Sequence, residues 1–169
     1  MKRLVHILVI SILISLPAGV YGQTGEDPVI GIFNKYEQRE GVESISISPA
    51  MLRLMQSGRA NDQRTQELIS KITGLRILTI TDGRGSAGRT NREALTAELQ
   101  TVVRRDFEEF MSVRDAGERV ELHVRSVAGR NALLLITSSA SSVTVIYLTG
   151  TIDQSLIDAV MRGEIGISR

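Results

Sequence analysis

The sequence predicts an α+β fold: a single two-layer sandwich, with a mostly antiparallel sheet of about six strands and helices packed mainly on one face. Three observations predict it. Helix start and stop signals recur along the chain around apolar residues spaced three and four apart. Between residues 110 and 150, four β-rich runs follow one another with short links, which forces an antiparallel meander. No repeat, low-complexity tract or linker divides the chain.

The elements follow in order. Asp27-Pro28 is an N-cap followed by proline at the first helical position, where its missing N–H costs nothing. Val29, Ile32, Phe33 and Tyr36 then share one helical face, and Gly41 closes the segment. "VESISIS" is a short strand. Ser48-Pro49 starts a second helix carrying Met51, Leu52, Leu54 and Met55, with Gly58 as its stop. A third helix runs from Asp62 to Thr73 with Leu68, Ile69 and Ile72 inward. "LRILTIT" is apolar on both faces and reads as an interior strand.

Thr90-Asn91-Arg92-Glu93 has the capping-box pattern, so the fourth helix is expected to begin at Thr90, with Leu95, Leu99, Val102 and Val103 buried. "FMSVRD", "RVELHVRS", "ALLLITS" and "VTVIYLTG" are the four strands of the meander, and the last two are apolar on both faces. In the second of them Val120, Leu122 and Val124 point one way, and Glu121, His123 and Arg125 the other. Asp153 caps a final helix, with Ile152 and Ile157 placed as a hydrophobic staple and Leu156, Val160 and Met161 on its apolar face.

The N-terminus reads as an export signal. Lys2 and Arg3 precede the apolar run Leu4–Leu16, Pro17 ends it, and Val20 and Gly22 suit a signal-peptidase site before Gln23. At 13 residues the run falls short of the roughly 20 needed to span a bilayer. The expected organisation is therefore a cleaved signal peptide at 1–22 and a single domain at 23–169. The expected location is the periplasm, or the medium if the protein is secreted. The chain has no cysteine, which excludes disulfides and a lipid-modified N-terminus.

Charge excludes further classes. The chain has 20 basic and 19 acidic residues, and the leader accounts for Lys2 and Arg3, so the remainder is close to neutral. A nucleic-acid or anionic-membrane binder would need a sustained basic excess.

Gly83-Arg84-Gly85-Ser86-Ala87-Gly88 spells G-x-G-x-x-G. A dinucleotide site also needs a second parallel strand ending in an acidic residue, and Asp106 lies instead at the end of the helix. The stretch is expected to be a solvated loop. Arg84, Arg89 and Arg92 are its candidate anion ligands beside a helix N-terminus.

Once the leader and His6 are removed, His123 is the one histidine, and no G-x-S-x-G accompanies it. On the polar face of a strand it is expected to be solvated or hydrogen-bonded at an edge. Glu108-Glu109 are adjacent residues of an expected helix end and do not converge. No catalytic residue, metal site or cofactor is assigned.

Four stretches resemble a known family. They are "IFNKYEQREGVESISISPAMLRLM", "ITGLRILTI", "DFEEFMSVRDAGERVELHV" and "VTVIYLTGTIDQSLIDAV". They are similar to small exported bacterial proteins catalogued as domain-of-unknown-function family 4252. The shared pattern has a K-Y-E-x-x-x-G opening, V-x-x-I-S-x-x-M, I-x-x-L-R-I-L, a Y/F-E-E-L/F-M-x-V segment, and L-T-G-x-I-D before the last helix. The match runs in order through nearly the whole mature chain. The resemblance implies an envelope protein with no assigned activity or cofactor. Some members are lipid-anchored, for which this chain lacks the cysteine, and the arginine- and glycine-rich loop at 83–89 departs from the shorter, acidic or lysine-rich loop of relatives.

The expected function is that of a non-enzymatic envelope protein working through protein contacts. Its partner surface is the sheet face bearing Glu121, His123 and Arg125, left open if the helices cover the opposite face. The alternatives are an anion or small-ligand carrier using the 83–92 loop, and hydrolysis through His123.

Overall fold

A computed structural model of the chain describes residues 27–58, 63–83, 86–127 and 131–162. The expected signal peptide and Arg84 lie outside the described residues. Helix α1 spans Pro28–Tyr36, strand β1 Val42–Ile47, α2 Pro49–Gly58, α3 Gln63–Lys71, β2 Ile72–Thr81 and α4 Ser86–Asp106. Then follow β3 Glu108–Asp115, β4 Glu118–Arg125, β5 Ala132–Ser138, β6 Ser142–Gly150 and α5 Gln154–Met161. The strands form one sheet in the order β1-β2-β6-β5-β4-β3, antiparallel throughout. The α+β class and the six-stranded antiparallel sheet are as the sequence predicts.

The distribution of the helices differs from expectation. One core joins α1 and α4, through Val29, Phe33, Tyr36, Leu95 and Leu99, to Leu78, Leu134, Val145 and Tyr147 of the sheet. A second core joins α2, α3 and α5, through Leu52, Leu68, Leu156 and Val160, to Leu122, Leu133 and Leu148. Successive residues of β5 and β6 alternate between the two cores, so helices cover both faces. The physical reason is in those strands: β5 and β6 are apolar on both sides, and each side needs a cover.

Local signals explain most boundaries. The Asp27 carboxylate accepts from the Val29 amide at 3.0 Å, and Asp153 caps α5 by accepting from Leu156 at 3.0 Å. All four residues expected on the inner face of α1 are buried. In α2 Leu52 is buried, whereas Met51 and Leu54 are exposed, so the sequence overstates that helix's apolar face.

The start of α4 also corrects the sequence reading. The helix begins at Ser86, directly beyond the glycines, and Thr90 Oγ1 donates to the Ser86 carbonyl inside the first turn instead of capping. Gly88 allows this. A Cβ there would lie 2.7 Å from the Thr81 carbonyl oxygen, so only glycine lets the helix start against the end of β2.

Glu108 and Glu109 belong to β3 and not to a helix end. β3 turns into β4 through Ala116-Gly117, both at positive φ (44° and 89°), with Asp115 paired to Glu118. That backbone is the one whose twist suits a two-residue hairpin. Among the described residues, no helix is long and apolar enough to cross a membrane.

Candidate functional site

The β3–β4 hairpin brings together the chemistry the sequence left dispersed. Antiparallel register sets Glu109 of β3 directly opposite His123 of β4, and a bulge follows between Glu109 and Met111. Glu121 lies two residues from His123, hence on the same face of β4. One ligand atom from each of Glu109, Glu121 and His123 falls within 4.8 Å of the other two.

Burial and charge divide these three. Glu109 is exposed, Glu121 is half-buried, and His123 is only 4% exposed. Among the described residues the buried imidazole Nδ1 has no hydrogen-bond partner, and Nε2 stands 3.9 Å from Glu121 Oε1, too far for a hydrogen bond. Burial pushes the imidazole below its ordinary value of 6.5, against the opposing charges of Glu121 and Glu109. Glu121 Oε1 accepts a short hydrogen bond from the Arg119 guanidinium, whose own Nε is buried without a partner. Arg119 and Glu121 also line a hollow of about 60 Å³ beneath Thr96, Leu99 and Gln100 of α4. That space suits a water or an ion, well below the roughly 300 Å³ at which organic-ligand pockets begin.

These positions correct two expectations. Glu121, His123 and Arg125 do share a sheet face, but α1 and α4 cover it, so His123 and Arg125 are buried (4% and 6% exposed) and offer no open surface to a partner. His123 is neither solvated nor hydrogen-bonded at an edge.

Arg125 serves a different purpose. Its guanidinium forms a short ion pair with Asp27 and donates to Tyr147 Oη at 2.7 Å, and Tyr147 donates to Asp27 Oδ2 at 2.6 Å. The Phe107 ring lies 4.9 Å beneath that guanidinium. Burial alone would raise the Asp27 carboxyl, but the hydrogen bonds from Arg125 and Tyr147 hold it below its ordinary value. The cluster locks the N-terminus of α1 to the sheet.

Among the described residues, the loop arginines Arg89 and Arg92 face a carboxylate of the chain itself. Arg92 binds Asp82 through two hydrogen bonds of 2.9 and 3.0 Å, and Arg89 lies 4.0 Å from the same carboxylate. A wider hollow of about 400 Å³ between α3 and α5 contains none of the residues expected from sequence.

Glu109 is the residue that sequence reasoning missed. The available signal was the turn at Ala116-Gly117, because a two-residue hairpin there fixes which β3 residue faces His123.

A family model described as a domain of unknown function, DUF4252, matches residues 36–160. No curated protein matches the chain. The resemblance read from the motifs is borne out, and the chain belongs to the DUF4252 family.

Proposed function

We propose that this DUF4252 protein is an exported, periplasmic, non-enzymatic module whose partner protein adds an extended strand to the β3 edge. One observation carries the reading. Among the described residues, β3 is an eight-residue edge strand paired only to β4, and every one of its residues except Met111 is exposed. Its outer backbone N–H and C=O groups are therefore available for strand addition. Phe110 and Val113 are 48% and 46% exposed, and they supply side chains that a partner strand can bury. Glu108, Glu109, Arg114 and Asp115 at the ends of the strand restrict which sequences can pair. Export rests on the leader pattern of residues 1–22.

The test is crosslinking of a tagged copy in intact cells, with captured proteins identified by mass spectrometry. The expected result is one reproducible envelope protein, lost on Phe110→Lys or Val113→Lys while the melting temperature stays unchanged. Undiminished capture by both variants, or nothing above background with the wild type, refutes strand addition. The anion-carrier reading draws little support from Arg89 and Arg92, since both face Asp82.

A further inference from the structure

We propose that Glu109, Glu121 and His123 form a binding site for a transition-metal dication of the zinc class, joining the edge strand β3 to β4. The inference does not depend on strand addition.

The donor set suits such an ion. Two carboxylates and an imidazole are ligands that zinc accepts, and three protein ligands leave one position for water. Tetrahedral zinc at 2.0–2.2 Å from its ligands sets donor atoms roughly 3.4 Å apart. The three donors here lie within 4.8 Å of one another, so closing on an ion requires a contraction of about 1.4 Å at most. Glu109 is the exposed member, and its side chain has the freedom to make that adjustment.

The histidine is a second, independent sign. A buried polar group ordinarily finds a hydrogen-bond partner. His123 is more than nine-tenths buried, and among the described residues its Nδ1 has no hydrogen-bond partner, while Nε2 stands 3.9 Å from Glu121 Oε1. An ion held by the imidazole and the two carboxylates gives this unsatisfied ring a polar partner.

The surroundings define the chemistry further. An imidazole ligand disfavours magnesium and calcium, which take oxygen donors, and the absence of sulfur disfavours copper(I). Arg119 neutralises Glu121 through their short hydrogen bond, so an incoming dication competes with that guanidinium for the same carboxylate. Arg119 therefore sets an upper limit on affinity. With β3 supplying one ligand and β4 two, the ion ties the edge strand to its neighbour just before the bulge.

Isothermal titration calorimetry of the chelator-stripped protein with Zn²⁺ tests this directly. The expected result is one site per chain, unaffected by excess Mg²⁺. Binding should weaken about tenfold or more in Glu109→Gln, an exposed change that spares the fold, and disappear in His123→Ala. Arg119→Gln should tighten it. In parallel, hydrogen exchange of the β3 amides should slow on adding Zn²⁺ to the wild type and stay unchanged in Glu109→Gln. Zn²⁺ affinity equal in wild type, Glu109→Gln and His123→Ala overturns the proposal, as does an absence of binding at sub-millimolar Zn²⁺.

Discussion

Replacing Asp27 with alanine tests the lock between α1 and the sheet. The substitution removes a helix cap, which by itself costs about 1 kcal/mol. It also removes the carboxylate that neutralises a guanidinium only 7% exposed, leaving it the Tyr147 hydroxyl and the Phe107 ring. Removing one member of a buried pair costs about 3–5 kcal/mol, because the remaining charge is left in a poorly solvated place. The half-buried setting of Asp27 argues for the lower part of that range, so the expected total is about 4 kcal/mol. For a domain of this size that lowers the melting temperature by roughly 10 °C.

Thermal and urea unfolding followed by circular dichroism measures the loss. The sharper result comes from the double variant Asp27→Ala/Arg125→Met. With both charges gone, no buried guanidinium is left without its carboxylate, so the double variant should be more stable than Asp27→Ala alone. A pH series adds a sign. The Asp27 carboxyl titrates below its ordinary 3.8 in the folded chain, so its stabilisation is present above that pH and is lost as pH falls through the folded value. A loss near 1 kcal/mol in Asp27→Ala, with no recovery in the double variant, would refute the buried-pair argument and leave Asp27 an ordinary cap.

Three further outcomes are expected. The His123 ring, followed by proton NMR in the metal-free protein, should titrate below 6.5; its contribution to stability is then complete above 6.5 and lost as pH falls through the folded value, and a midpoint at or above 6.5 contradicts its burial. Gly88→Ala should destabilise by about 1–3 kcal/mol in urea unfolding, because its Cβ meets the Thr81 carbonyl oxygen, whereas Gly83→Ala, with open space around it, should cost far less; equal costs would sink the packing account of that glycine. Ala116→Asn should stabilise by up to about 1 kcal/mol, since asparagine tolerates positive φ better than alanine; a loss of stability there means the hairpin turn is not the one described.

Much of this protein is legible along the chain. Asp27-Pro28 and Asp153 mark helix starts because a capping side chain acts on its own backbone two or three residues away, and both caps form. The meander is legible because turns this short permit only antiparallel return. The misreadings arise where a local pattern competes with packing. Thr90 carries the capping-box pattern, yet Gly88 lets α4 start a turn earlier, against the end of β2. Glu108-Glu109 continue a helical pattern, yet β4 recruits them into a strand.

The candidate site depended on partners that no local pattern contains. Sequence alone determined the secondary-structure order, the side alternation that aligns Glu121, His123 and Arg125, and the family, because these depend on spacing and short-range backbone chemistry. Only the tertiary structure decided that this face lies under α1 and α4, that Glu109 meets His123 across the hairpin, and that β3 is an exposed edge of the sheet. Those outcomes follow from strand order and from which apolar surfaces cover one another, and such choices are made between segments far apart in the chain.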